Sequence, residues 1–199
     1  MDPSFDRLAE ALGRLPALGR RSAERAALAL VSDRARLDEL RAALDEASEN
    51  VRLCTLCGAV TAARRNPCAL CTDPARDAGI LCVVEEPGDI LALERAGGFT
   101  GRYHALHGRL SAARATGPAE LRLRELAERV SSEHVREVVL ALGTDVEGDA
   151  TASYIVEMFR GTGVAVSRLA FGLPADSGIR YSDPVTLKRA FQGRQSLWE

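Results

Sequence analysis

Residues 80–96 read ILCVVEEPGDILALERA. Ile80–Val84 is an unbroken apolar run of strand length, and Glu85-Glu86-Pro87 ends it. Helical spacing then runs through 88–96 and stops at Gly97-Gly98. The same change recurs downstream. Val138–Leu142 is a second buried run, followed by a Gly/Asp loop and a helix predicted over 149–160. Tyr103–Leu106 and Val164–Ala170 supply two more strands. Pro118 marks the first turn of a helix carrying Leu121, Leu123, Leu126 and Val130, and a last helix is predicted over 184–192. Strands that are apolar along their whole length have both faces covered, and their alternation with helices argues for a parallel sheet. The fold class expected is α/β.

Toward the N-terminus the pattern becomes wholly helical. Phe5, Leu8 and Leu12 recur at helical spacing, and Leu15-Pro16-Ala17-Leu18-Gly19 breaks the helix. Ser22 is a suitable cap for a second helix through Val31, packing through Ala23, Ala26, Ala27, Leu30 and Val31. Ser32 or Asp33 can cap a third, along which Leu37, Leu40, Leu44, Ala47 and Val51 recur. The Gly-containing corner between the first two helices opens the second, and backbone N–H groups at that helix N-terminus can form a phosphate site that ignores base sequence. Arg20, Arg21 and Arg25 flank it. The stretch alone fits equally an ordinary helical corner with solvated arginines.

The 199 residues are 46% hydrophobic and 27% charged, enough for a real core and too apolar for a disordered chain. No apolar stretch approaches membrane-spanning length, and MDPSFDRLAEALGRL has no secretory pattern. A cytoplasmic location is expected, so the five cysteines need a role other than disulfides. The net charge of −2 hides opposed patches. Residues 13–25 hold four arginines against Glu24, and 52–76 hold four against Asp73. By contrast, 85–94 and 143–157 each hold four carboxylates and no base.

Residues 52–76 hold four cysteines, two prolines and few large apolar side chains, so this segment needs a staple. Cys54, Cys57, Cys68 and Cys71 form two Cys-x-x-Cys pairs separated by ten residues. That spacing lets four thiolates converge on one Zn²⁺ and leaves no position for a reactive water, so the role is structural. Redox pairs or an iron–sulfur cluster are the alternatives. Arg52, Arg64 and Arg65 are expected to offset the charge of the centre. Cys82, inside a strand, reads as a core residue, and His104, His107 and His134 show no ligand pattern. At the strand ends, Glu85 and the run Gly143-Thr144-Asp145-Val146-Glu147-Gly148-Asp149 gather carboxylates where open α/β sheets bind ligands. They can hold Mg²⁺ for phosphoryl chemistry or face a basic partner.

These motifs resemble the RecR family of bacterial recombination mediators. The resemblance rests on LPALGRRSAERAAL, the four cysteines, a Toprim stretch from ILCVVEEPGDILALE to VEGDATASYI, and Tyr181-Ser182-Asp183 with VTLKRAF. It implies a helix-hairpin-helix region over 1–52 for DNA binding and assembly and a four-cysteine zinc finger over 53–77. A Toprim domain is implied over 78–172, and a strand/helix assembly segment over 173–199. It implies no catalysis. It implies a homotetrameric ring on single- or double-stranded DNA, working with RecO and RecF to load RecA, near the nucleoid. Arg21 and Arg25 match the family's DNA-contacting positions, and Glu85, Glu147 and Asp149 its partner-binding acidic positions, with Asp145 on the same face. Two departures stand out. Ala17 replaces the hairpin's usual first glycine, and Gly143 stands where catalytic Toprim enzymes carry the first Asp of an Asp-x-Asp pair. The alternative function is a Mg-dependent Toprim nuclease or nucleotidyl transferase.

Overall fold

The computed structural model describes residues 2–170, 173 and 179–193. The chain divides into two compact units, Met1–Arg52 with Ala62–Arg64 and Leu53–Thr61 with Arg65–Glu199.

The first unit is built of three helices. α1 (Pro3–Gly13) is capped by the Asp2 carboxylate, which accepts from the Ser4 N–H, and has Pro3 in its first turn. α2 (Arg20–Ser32) buries Ala23, Ala27 and Leu30. Small residues let the two helices approach, and a Cβ added at Gly13 would meet the Ala23 Cβ at 3.6 Å. α2 starts three residues earlier than expected: Gly19, not Ser22, is the cap, and both Ser22 and Ala23 donate to its carbonyl. α3 (Arg34–Asn50) is capped by Asp33 through the Arg36 N–H. Leu37, Leu40, Leu44 and Ala47 lie along it as expected but none is buried, with Leu44 61% exposed; Val51, expected to continue the stripe, instead opens a strand, and Val31 on α2 is 55% exposed.

The second unit is a parallel sheet with two differently covered faces. Two short strands, β1 (Val51–Leu53) and β2 (Val60–Ala62), pair with each other ahead of it, and a short helix, α4 (Ala69–Thr72), follows. The main strands are β3 (Asp77–Val84), β4 (Gly101–Ala105), β5 (Glu137–Ala141) and β6 (Ala165–Arg168). They lie in the order β4-β3-β5-β6, all parallel. Connecting helices are α5 (Pro87–Ala96), α6 (Leu123–Ser132) and α7 (Val146–Met158). Alternate residues of β3 point to opposite faces. Leu81 and Val83 join Val138 and Leu140 under Leu126, Val130, Ala152 and Ile155 of α6 and α7. Cys82 and Val84 join Tyr103 and Ala105 under Ile90 of α5 and, unexpectedly, under Cys54, Cys57, Cys68 and Cys71. The cysteine segment is therefore part of the cover of the sheet.

Pro118 opens a single 3-10 turn (Pro118–Glu120) rather than the helix, which begins only at Leu123. A last helix, α8 (Pro184–Gln192), is capped by Asp183, which accepts from the Val185 and Thr186 N–H groups. Of the C-terminal segment read as 173–199, positions 174–178 and 194–199 lie outside the described residues.

Candidate functional site

Three groups of side chains carry chemistry. The first is the corner between α1 and α2. Leu18 N–H closes a turn onto the Leu15 carbonyl at 3.2 Å, and Ala17 within it has φ 64°. Gly19 has an ordinary extended backbone (φ −69°, ψ 161°), and a Cβ there would meet nothing within 4 Å. Its role is therefore openness rather than backbone freedom. The first N–H groups of a helix have no intrahelical partner, and the dipole adds positive charge there. Arg20 is turned along the helix onto Glu24 (Nε to Oε1, 3.0 Å). Arg21 and Arg25 are exposed and make no ion pair or side-chain hydrogen bond among the described residues.

The second group is the four thiols. All are buried and free, and their sulfurs lie within 4.8 Å of one another. A tetrahedral centre with metal–sulfur bonds of about 2.3 Å places its sulfurs about 3.8 Å apart, and the Cys57 and Cys68 sulfurs stand at 3.4 Å. Backbone N–H groups already point at two of them, Cys68 N–H at Cys54 Sγ (3.3 Å) and Ala59 N–H at Cys57 Sγ (3.4 Å). Hydrogen bonds from Cys57 and Cys71 hold the Cys68 thiol well below its usual range. Bonding to Cys68 pushes Cys57 up, and bonding to Cys57 and Cys68 pushes Cys71 up, with burial adding to both. A thiolate is the form in which cysteine binds a metal, so a cation at this cluster would replace the thiol protons. The cluster fits a metal ion.

The segment is tied to the sheet by named bonds. Ala105 N–H donates to the Cys57 carbonyl (2.8 Å), and Arg122 donates to the carbonyls of Thr55 (2.9 Å) and Leu56 (3.2 Å). His107 Nε2 bonds the Gly58 carbonyl at 3.2 Å. The cation placed beside a thiol is Arg129, whose Nη2 lies 4.0 Å from Cys71 Sγ. Arg65, expected to balance the centre, is exposed with no such bond. Cys82 is a core residue, its thiol pushed up to about 12 by burial. His104 is fully buried against the Arg122 carbonyl (2.9 Å), and burial pushes it down to about 3.

The third group lies at the carboxyl ends of the strands. The Glu85 carboxylate accepts from the Gly143 N–H at 2.7 Å. Asp145 caps α7 through the Gly148 N–H. Gly148 packs so closely that a Cβ there would collide with the Gly143 carbonyl. These acids form no open negative patch. Arg109 reaches Asp145 (2.7 Å), Glu147 (3.0 Å) and Glu85 (3.7 Å). Glu147 also accepts from Arg114 (3.0 Å) and from the Ser111 hydroxyl. Asp149 takes Arg168 (2.7 Å) and Arg189 (3.1 Å). The Gly148 N–H with the Arg109 guanidinium holds the Asp145 carboxyl below its usual range, and the Ser111 hydroxyl with Arg114 does so for Glu147. The sequence reading found every carboxylate and missed every arginine. Arg109 follows β4 and Arg168 ends β6, so applying the strand-end rule to all four strands would have found both.

A helical corner, a four-thiol segment and a four-stranded parallel sheet with carboxylates at its strand ends define a Toprim-type protein with an added helix-hairpin-helix region. Comparison with known families agrees. The Toprim domain model matches residues 79–170, the model described as RecR, helix-hairpin-helix matches 5–48, and RecR, C-terminal matches 172–195. Curated proteins named recombination protein RecR are similar over nearly the whole chain. That of Desulfosudis oleivorans is 46% identical over 197 residues, covering 98% of both chains. That of Desulfatibacillum aliphaticivorans is 43% identical over 196 residues, again 98% of each. That of Deinococcus radiodurans is 44% identical over 196 residues, 98% of this chain and 87% of the relative. The chain belongs to the RecR family.

Proposed function

We propose that this protein is a DNA-binding mediator of recombination and repair that catalyses no reaction itself. The observation that carries the reading is the open N-terminus of α2, where Gly19 leaves the backbone uncovered and Arg21 and Arg25 are uncommitted. A phosphate seated there meets backbone N–H groups and two guanidinium forks, with Arg20 alongside. None of these reads a base, so binding is independent of sequence and takes single- or double-stranded DNA.

The exposed apolar side chains Leu28, Val31, Leu40 and Leu44 support self-association, which we take to be the homotetrameric ring that holds DNA. In this reading the ring works with RecO and RecF to load RecA on single strands, near the nucleoid. Glu85, Asp145, Glu147 and Asp149 receive the basic surface of a partner such as RecO, whose cations exchange with Arg109 and its neighbours. The four cysteines hold one structural Zn²⁺ per chain, the ion whose ligand preference matches four thiolates. Guanidinium pairing of the Toprim carboxylates, with Gly143 in place of a first Asp, supports a partner-binding rather than a catalytic face.

Anisotropy titration of labelled DNA across a salt series tests the reading. Wild type binds with a steep salt slope, and the Arg21→Ala, Arg25→Ala double variant binds more weakly with a shallower slope. An unchanged isotherm overturns the assignment. Among the described residues no helix is long and apolar enough to cross a membrane.

A further inference from the structure

We propose that Arg129 is a charge-compensating positioning residue for the four-cysteine metal centre, acting on Cys71 from outside the ligand set. The inference rests on the reading of the cysteines as a metal site. Arg129 sits on α6 with only 2% of its side chain exposed. A buried charge needs partners on every side. Nη1 donates to the Tyr103 carbonyl at 2.6 Å and Nε to Glu133 Oε1 at 2.7 Å. The remaining nitrogen, Nη2, faces Cys71 Sγ at 4.0 Å.

The charges around it do not balance without the cysteines. Glu133 is shared, its second oxygen accepting from Arg102 Nη1 at 2.9 Å. One carboxylate therefore serves two guanidinium groups, which leaves the three side chains with a surplus of one positive charge, and the most buried of them, Arg129, faces the thiols. A divalent ion with four thiolates carries two negative charges, and the low-dielectric sheet interior strengthens their attraction to that surplus. The sulfurs of Cys54 and Cys57 receive backbone N–H groups, whereas the donor aimed at Cys71 is the guanidinium. Groups outside the ligand set that hold a ligand in this way change metal affinity by about 10–100-fold when removed.

The test uses the full chain isolated with zinc. Zinc release to a chelating dye is timed for wild type, Arg129→Met, Arg129→Lys and Glu133→Gln, with far-UV circular dichroism confirming the fold. Arg129→Met is expected to lose zinc about 10-fold faster or more. Arg129→Lys keeps the charge and stays within a few-fold of wild type. Glu133→Gln leaves the guanidinium on Cys71 and releases zinc at the wild-type rate. With cobalt in place of zinc, the sulfur-to-metal charge-transfer band shifts in Arg129→Met and not in Glu133→Gln. Should Arg129→Met fail to fold, a folded Arg129→Lys that sheds zinc 10-fold faster overturns the charge role. Equal acceleration in Glu133→Gln and Arg129→Met overturns it too, because Arg129 would then serve only to tie α6 to β4. Wild-type protein that carries no metal overturns the metal reading itself, a result distinct from a metal-loaded wild type whose Arg129→Met variant releases zinc unchanged.

Discussion

Ala17 is the third residue of the turn that Leu18 closes onto Leu15, with Pro16 before it and φ 64°. Proline second and a left-handed residue third is the pattern of a type II turn, whose third position favours glycine. An L-residue there crowds its Cβ against the following carbonyl oxygen, at a cost of about 1–2 kcal/mol. Glycine relieves that strain but returns about 0.5–1 kcal/mol through its freer unfolded chain. Ala17→Gly should therefore stabilise the helical unit by about 0.5–1 kcal/mol, the difference of the two terms. Ala17→Val adds a branched Cβ at the same angle and should destabilise by about 1 kcal/mol or more. The assay is urea unfolding followed by far-UV circular dichroism. With a slope of about 2 kcal/mol per molar urea, the glycine variant should raise the midpoint by about 0.3–0.5 M. A midpoint that stays or falls on Ala17→Gly, or a valine variant as stable as wild type, would refute a left-handed residue at this corner.

Other outcomes follow from the same structure. Removing both Arg21 and Arg25 should lower the DNA-binding salt slope by about 2, measured across a salt series. Gly19→Ala should keep the fold, costing no more than about 1 kcal/mol at the cap, yet weaken DNA binding. Loss of both together would point to a merely structural glycine. Metal analysis should find about one zinc per chain, and chelation should open the 52–76 segment to protease. Because the Glu147 carboxyl is held below its usual range, its contribution is present above the unfolded value near about 4.3 and fades as pH falls below it. Amide protection factors in residues 109–117, the exchange rates taken relative to the unstructured chain at the same pH, should fall in acid, and Glu147→Gln should show that lower protection already at pH 7.

The four strands were legible because each is an apolar run long enough to be covered on both faces, and their periodicity survives whatever packs on them. Ser22 has the better capping side chain, yet the corner fixes the start of α2 at Gly19 through its backbone, which side-chain preference alone does not reveal. Pro118 has the right residue for a helix start but is spent on a separate turn. The convergence of the four cysteines is local and readable from spacing alone. Their burial under Tyr103 and Ala105 is not, because spacing says nothing of what lies above the knuckles. The acidic loops looked bare for a related reason. Charge counted along the chain sees neighbours in sequence, while Arg109 lies 36 residues from the Asp145 it meets. The left-handed angle at Ala17 follows from the turn chemistry of Leu-Pro-Ala-Leu, a departure that the sequence already displayed.

The cysteine segment covers one face of the sheet, and a metal ion held by its four thiolates would make the Toprim domain responsive to something outside the protein. An ion that binds the folded chain and not the unfolded one adds about 2.7 kcal/mol of stability when its free concentration is 100 times the dissociation constant. That increment is not confined to the knuckles, because Cys82, Val84 and Tyr103 share their packing. With such a site filled, free metal concentration would act on this face of the sheet as temperature or denaturant does, and a cell short of the metal would hold chains in which the packing under the knuckles is weakened.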